Sequence, residues 1–201
     1  MSASLLYQPD LGWRASTIAG ALRLRPAVAQ HSVAEGRLLE KVSAGARTIV
    51  EIGVAEGGSA WHARRVMDPE GTLVLIDPYP RRFGLNLSSI IARRLVDRVQ
   101  RGAVWWRHER SDEAIRTWDW PIDFLFIDGD HAYEAVRDDF EQWSPHVTPG
   151  GTIAFHDALL GPSWMTPDFG SARFVQELID SGDGWSLSDR ADSLAVFKRS
   201  G

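Results

Sequence analysis

Short apolar runs alternate along the chain with longer amphipathic stretches, starting near residue 48. Some runs, such as FLFI at residues 124–127, are apolar throughout, which is typical of strands covered on both faces of a parallel sheet. The pattern predicts strands at Thr48–Ile52, Thr72–Ile76, Ala103–Arg107, Ile122–Ile127 and Thr152–Phe155, with weaker patterns at Trp185–Ser188 and Leu194–Phe197.

The amphipathic stretches between these runs predict helices that connect one strand to the next. Only residues 189–193, DRADS, join the last two predicted strands, which is too short for a crossover helix, so this pair should be antiparallel. We therefore expect an α/β, Rossmann-like, seven-stranded and mostly parallel sheet with an antiparallel C-terminal hairpin and helices on both faces. The predicted helices are Ser59–Met67, Ile90–Arg98, Ser111–Thr117, Tyr133–Trp143 and Ala172–Ser181.

The N-terminal segment has a different pattern. Residues 15–43 read as helical with a break near Pro26, and residues 1–46 are predicted to form a lid or a dimer contact beside a domain at residues 47–201. This segment has more apolar side chains than one sheet face requires, which favours a homodimer or a higher closed oligomer. The apolar side chains are Leu22, Leu24, Val28, Leu38 and Leu39.

Composition limits the classes of function. The chain has 201 residues, of which 44% are hydrophobic and 24% charged, and a net charge of -5, which argues against a general nucleic-acid binder. Because there is no cysteine, disulfides, thiolate metal sites and a cysteine nucleophile are excluded. No apolar run approaches the ~18 residues of a membrane span, and the first residues do not resemble a signal peptide, so we expect a soluble cytoplasmic protein without a membrane partner.

Polar side chains and glycines follow each of the first five predicted strands. In an open α/β sheet the ligand binds beyond the carboxyl ends of the strands, so these residues are the candidates for a site. In strand order they are Glu51 and Gly53; Asp77; Ser111 and Asp112; Asp128, Asp130 and His131; and His156 and Asp157.

The loop after the first predicted strand, GVAEGG, matches neither the G-x-G-x-x-G fingerprint nor a P-loop. Glu51 and Glu56 bring negative charge to the place where a pyrophosphate would lie, which favours a cation such as a sulfonium or an amine. Asp77, more than 20 residues after the start of this loop, is placed to accept both hydroxyls of a ribose, although an aspartate before a proline is also a common turn residue. These features together favour an adenosine-containing cation.

Three stretches carry a family resemblance: VEIGVAEGGSA, LIDPYP and DFLFIDGDHAYEAVRDDFEQWSPHVTPGGTIAFHDA. They resemble the class I S-adenosylmethionine-dependent methyltransferases, in the branch of the macrolide and catechol-type O-methyltransferases. The resemblance covers roughly Thr48 to the C-terminus and implies methyl transfer from S-adenosyl-L-methionine to a small-molecule acceptor, at a hydroxyl oxygen. The cofactor contacts that it implies are Glu51, Gly53, Ser59, Asp77, Ser111, Asp112 and Asp128.

The resemblance also implies a divalent cation, Mg or Mn, held by Asp128, His156 and Asp157, whose removal by a chelator should abolish activity. The relatives often carry two acids, or Asp-Asn, where this chain has His156 and Asp157. Imidazole suits zinc, iron or nickel better than magnesium. The alternative is that His156 is not a ligand and hydrogen-bonds to Asp128.

His131 follows Asp128 by three residues and is a candidate general base, because a histidine accepts a proton near neutral pH. The structural alternatives are that it caps the next helix or packs against the loop on the adenine side. In the loop after the fifth predicted strand, Trp164, Met165 and Phe169 are candidates for the wall of an acceptor pocket, for a lid or for a dimer contact. Two other functions remain open: an adenosine-binding protein without transferase activity, and a different reaction such as hydroxylation on the same scaffold.

Overall fold

The computed structural model describes residues 6–7, 13–79, 86–161 and 165–200. Its main element is a seven-stranded sheet, accompanied by a small parallel pair formed by β1 and β2. The strands are β1 (Leu6–Tyr7), β2 (Val28–Ala29), β3 (Thr48–Ile52), β4 (Thr72–Ile76), β5 (Ala103–Arg107), β6 (Ile122–Ile127), β7 (Val147–Phe155), β8 (Trp185–Ala191) and β9 (Leu194–Arg199).

The strand order of the large sheet is β5-β4-β3-β6-β7-β9-β8. The pairs from β5 to β7 are all parallel, whereas β9 is antiparallel to both β7 and β8. Along the chain, β4 and β5 follow β3 on one side of it, and β6 then pairs with β3 on the other side. The carboxyl ends of β3 and β6 therefore flank the switch point where an open sheet binds its ligand.

Helices cover both faces of this sheet. They are α1 (Trp13–Ala21), α2 (Val33–Ser43), α3 (Gly58–Val66), α4 (Leu87–Val96), α5 (Ser111–Ala114), α6 (Tyr133–Trp143) and α7 (Gly170–Ser181). Successive strand residues point to opposite faces, so Val50 belongs to one core cluster, with Trp143 and Phe174, while Ile49 belongs to the other, with Leu39 and Ala63.

The predicted fold is confirmed, and four strands have the predicted bounds. β7 differs most, because it begins at Val147 instead of Thr152. Val147 pairs with Ile122, and the register is irregular after this pair. The strand therefore includes a Pro-Gly-Gly stretch whose sequence is typical of a turn. The helix predicted at Ile90–Arg98 begins earlier, at Leu87, because the Asn86 side chain accepts a hydrogen bond from the Ser89 amide.

The N-terminal segment is less helical than predicted, since β2 separates α1 from α2. Leu38 and Leu39 are buried in the core, so they do not add to a free apolar surface as the sequence suggested, whereas Leu22 and Leu24 are exposed. Among the described residues, the helices are all too short or too polar to cross a membrane.

Candidate active site

A cleft of ≈ 1330 Å³ opens at the carboxyl ends of β3, β4, β6 and β7. The segment that leads into α2 and the turn between β8 and β9 form part of its wall. Nine residues predicted from the strand ends line it together: Gly53, Asp77, Ser111, Asp112, Asp128, Asp130, His131, His156 and Asp157.

Gly53 explains why the first loop needs a glycine. Its φ is +83°, and a Cβ atom on this residue would lie 2.0 Å from the carbonyl oxygen of Asp128. Only glycine permits both the left-handed backbone and this approach. The ends of β3 and β6 therefore meet with no side chain between them at the floor of the cleft.

Asp77 holds the loop that follows Gly53. Its Oδ2 accepts hydrogen bonds from the amides of Val54 (3.0 Å) and Ala55 (3.1 Å), and its Oδ1 accepts one from the amide of Tyr79 (2.8 Å). A carboxylate oxygen has about two acceptor positions, so Oδ1 is the atom that keeps capacity for a ribose hydroxyl. The turn role that the sequence left as an alternative is therefore present, and the contact with a ribose remains a prediction.

The acids of the glycine loop do not face the cleft. Glu51 is 1% exposed, accepts a hydrogen bond from the Ser59 hydroxyl (2.6 Å), and has a pKa raised well above its usual range by burial. Glu56 forms an ion pair with Arg25 (2.6 Å). Neither Glu51 nor Ser59 is among the residues that line the cleft, so their contact with a cofactor remains a prediction.

The negative charge of the cleft comes instead from the strand ends and the walls. Nine carboxylate side chains line it, whereas Arg110 is the one lysine or arginine among the described lining residues. Arg110 itself donates to Asp112 (2.9 Å). The cleft therefore favours a cationic ligand, as the sequence predicted, but through different residues.

Asp139 of α6 was not predicted as a site residue. Its Oδ1 accepts a hydrogen bond from the Ser111 hydroxyl (2.5 Å), which joins α6 to the start of α5. The carboxyl is 8% exposed, and burial raises its pKa to about 6 from 3.8. Asp139 is therefore neutral in mildly acidic solution, and it holds Ser111 at the predicted adenine side of the cleft.

Replacing Asp139 with asparagine should stabilise the protein above neutral pH. A carboxyl with a higher pKa in the folded than in the unfolded chain stabilises the fold below 3.8, and this stability is lost as pH rises through about 6. At pH 8 the Asp139→Asn variant should therefore exceed the parent by about 2–3 kcal/mol in free energy of unfolding. Urea unfolding at several pH values measures this, and a difference that does not change between pH 3 and pH 8 would contradict it.

His156 lies among three carboxylates at the end of β7. Its Nδ1 is 3.2 Å from Asp128 Oδ1 and 3.6 Å from Asp157 Oδ1, and its Nε2 is 3.5 Å from Glu35 Oε2. Burial alone lowers the pKa of this imidazole, but the surrounding carboxylates raise it well above its usual value. Glu35 shows the reciprocal effect: burial acts to raise its pKa, but hydrogen bonds and the charge of His156 lower it to about 2.

These residues do not fit the divalent metal centre that the resemblance implied. A metal ligand must present a free lone pair, but both ring nitrogens of His156 face carboxylate oxygens. Within the described part of the chain, no three His, Cys, Asp or Glu side chains are arranged to hold a metal ion. The contact between His156 and Asp128 is the alternative that the sequence left open.

His131 lies at the mouth of the cleft, with Nε2 3.6 Å from Asp157 Oδ2. Its ring also packs against Phe169, at 5.7 Å between centroids. Met165, predicted with Phe169 as a pocket wall, is buried, and Trp164 lies outside the described residues. His131 therefore lies beside Asp157, near the predicted reaction centre.

The residues that the sequence reasoning missed come from the cleft walls. Glu35 accepts hydrogen bonds from the amides of Ser32 (2.6 Å) and Ser193 (2.9 Å), and the Ser193 hydroxyl lies 3.1 Å from Asp157 Oδ1. The spacing of Ser32 and Glu35 is that of a capping box, a local signal that marks the start of α2. Ser193, in a hairpin turn, has no comparable signal.

The fold and the cleft define an α/β domain with a ligand site at the switch point of its sheet. A family model described as "Methyltransferase domain" matches residues 50–158, which is more than half of the chain. The protein therefore belongs to this family, and the family resemblance predicted from the sequence motifs is confirmed.

Solved structures of other proteins share the fold. Cofactor-bound Rv0187 from MTB has a TM-score of 0.70 at 21% identity, covering 92% of this chain and 88% of that one. The O-methyltransferase TomG from Streptomyces achromogenes, in complex with SAM, has a TM-score of 0.66 at 22% identity, covering 96% and 92%. At these identities the likeness concerns the fold.

Curated relatives match over a short segment only. Protein R132 of Acanthamoeba polyphaga mimivirus is 53% identical over 36 residues, which is 18% of this chain and 16% of that protein. A second relative, y4gI of Sinorhizobium fredii, matches over 4% of its own length.

Proposed function

We propose that the protein transfers a methyl group from S-adenosylmethionine to a small-molecule acceptor, at a hydroxyl oxygen. The observation that carries this proposal is the cleft at the switch point, where Gly53 closes on Asp128 and the carboxylate of Asp77 fixes the loop amides. Two proteins of the same fold support the choice of donor, since TomG is described in complex with SAM and a Bacillus cereus O-methyltransferase in complex with SAH.

The donor would lie along the carboxyl ends of β3 to β6. Asp77 Oδ1 accepts from the ribose, the Ser111–Asp112 turn contacts the adenine, and the backbone at Gly53 admits the rest of the molecule against β6. The excess of carboxylates around the cleft complements the positive sulfonium and amine of the donor.

The reaction is an in-line displacement that depends on alignment more than on covalent catalysis. A lone pair of the acceptor oxygen forms a bond to the methyl carbon as the carbon–sulfur bond breaks. The two electrons of the broken carbon–sulfur bond stay on sulfur. His131 is our candidate for the base that takes the hydroxyl proton, because Asp157 faces its Nε2 and leaves the other ring nitrogen for the acceptor.

Two measurements test the function. Calorimetric titration should show binding of S-adenosylmethionine, and S-adenosylhomocysteine should compete for the same site. Incubation of a metabolite library with methyl-labelled donor should then yield a labelled product. A protein that binds neither compound would overturn the proposal, whereas binding without turnover on any acceptor would favour an adenosine-binding protein.

The N-terminal segment has two proposed roles. Its residues Gln30 to Val33 line the cleft, which suits a lid over the bound substrates. The exposed side chains Ile18, Leu22 and Leu24 are the part of the segment that suits a contact with a second copy. Light scattering should therefore give the mass of a homodimer or larger assembly, and a Leu22→Glu, Leu24→Glu variant should give a smaller mass. A monomeric parent at high concentration would exclude the assembly.

A further inference from the structure

We infer that His156 is the built-in cation of the reaction centre: its imidazolium holds Asp128, Asp157 and Glu35 together in place of a divalent metal ion. The inference rests on the proposed function for one point, that the ends of β6 and β7 form the reaction centre. It assigns to His156 and Glu35 the role of positioning residues, which act on the reaction through Asp128 and Asp157.

The geometry at the ring requires two N–H groups. Nδ1 faces Asp128 at 3.2 Å, and Nε2 faces Glu35 at 3.5 Å, while the side chain is only 5% exposed. A neutral imidazole has one N–H, so one of its nitrogens would direct a lone pair at a carboxylate oxygen. Both contacts are attractive only when the ring carries a proton on each nitrogen.

The three carboxylates need a cation between them. Glu35 is almost fully buried, and Asp128 and Asp157 are 21% and 17% exposed at the side chain. Buried like charges without a partner are strongly destabilising, and the described residues of the cleft have no lysine or arginine at this end. His156 is the group that lies within 3.6 Å of all three.

A cation that belongs to the chain fixes more than one element. Through Glu35 it holds the start of α2, because Glu35 also accepts from Ser32 and Ser193. Through Asp157 it fixes the carboxylate that faces His131. The same imidazolium therefore joins the N-terminal wall, the β8–β9 turn and the candidate base.

Direct metal titration distinguishes this centre from a metal site. Mn²⁺ titrated into the parent, followed by electron paramagnetic resonance, should show no saturable site. The His156→Asp variant replaces the cation with a third adjacent carboxylate and should bind Mn²⁺ about tenfold or more tightly than the parent, since charge count and ligand number set affinity at oxygen sites. His146→Asp, a histidine outside the cleft lining, is the matched control and should behave like the parent.

Nitrogen NMR of the parent provides a readout that needs no variant. With labelled histidine, the ring of His156 should show two protonated nitrogens near neutral pH, and Glu35→Gln should shift these signals. A saturable Mn²⁺ site in the parent, a neutral His156 ring, or a folded His156→Asp variant without increased Mn²⁺ affinity would each overturn the inference. Because none of these readouts uses methyl transfer, an inactive protein with a protonated His156 would refute the proposed function and the positioning roles, but not the imidazolium that joins the three carboxylates.

Discussion

Replacing Gly53 with alanine should lower the free energy of unfolding by at least about 4 kcal/mol and abolish binding of the donor. The backbone at Gly53 has φ +83°, and the new Cβ would lie 2.0 Å from the Asp128 carbonyl oxygen and 2.5 Å from its carbon. Both atoms belong to the backbone of the sheet, so no side chain can move aside. The ends of β3 and β6 would have to separate, and the cleft floor would be lost with them.

Urea unfolding and donor titration of the Gly53→Ala variant measure these effects. Gly150→Ala is the matched control, because Gly150 has a similar φ of +76° but nothing within 4 Å of an added Cβ. Its cost should be that of a left-handed alanine alone, about 1–2 kcal/mol. Equal losses in the two variants would show that the close approach at Gly53 does not matter.

Local signals explain why the sheet could be predicted so fully. β3, β4 and β6 are mostly apolar runs followed by glycine or polar residues, and their side chains are largely buried. The edge strand β5 is partly exposed, with Trp105 on the surface. The start of β7 was missed because Thr148, Pro149 and Gly150 have turn chemistry, and only the distant Ile122 draws Val147 into the ladder. The two-residue pair of β1 and β2 is too short to leave a periodic signal.

The site shows a similar division. Nine residues predicted from the strand ends line one cleft, because the carboxyl ends of parallel strands meet at one edge of the sheet. The sequence did not predict the hydrogen-bond and ion-pair partners of the acidic residues. Glu56 was expected to charge the cleft, yet it pairs with Arg25, 31 residues earlier, while Glu35 bonds with Ser193, 158 residues later. Such pairs form only when the complete fold closes.

His156 illustrates how a partner changes the chemistry of a predicted residue. The sequence allowed either a metal ligand or a contact with Asp128, since both readings need the histidine at the same strand end. In the structure the contact with Asp128 is present, and Glu35 faces the second ring nitrogen from an element more than 100 residues away in the chain. The spacing of residues within the sequence motif around His156 does not predict the contact with Glu35.

Replacing Asp77 with alanine should weaken the binding of S-adenosylmethionine by more than about 100-fold, which corresponds to about 2.7 kcal/mol. The variant removes the acceptor for the ribose and leaves the amides of Val54, Ala55 and Tyr79 without their carboxylate. Hydrogen bonds to a charged group contribute about 1.5–3 kcal/mol each, so the loop that receives the donor should lose its fixed geometry. Calorimetric titration with the donor measures the change.

Asp123→Ala supplies the control for this experiment, because the Asp123 carboxylate also accepts hydrogen bonds from backbone amides, at the opposite end of β3. Its Oδ2 accepts from the amides of Arg47 (2.8 Å) and Thr48 (3.0 Å), outside the residues that line the cleft. Both variants lose a carboxylate that holds two consecutive amides, so both should be less stable than the parent in urea. Only Asp77→Ala should lose donor affinity, and an equal loss of affinity in Asp123→Ala would show that Asp77 acts through general stability and not at the donor site.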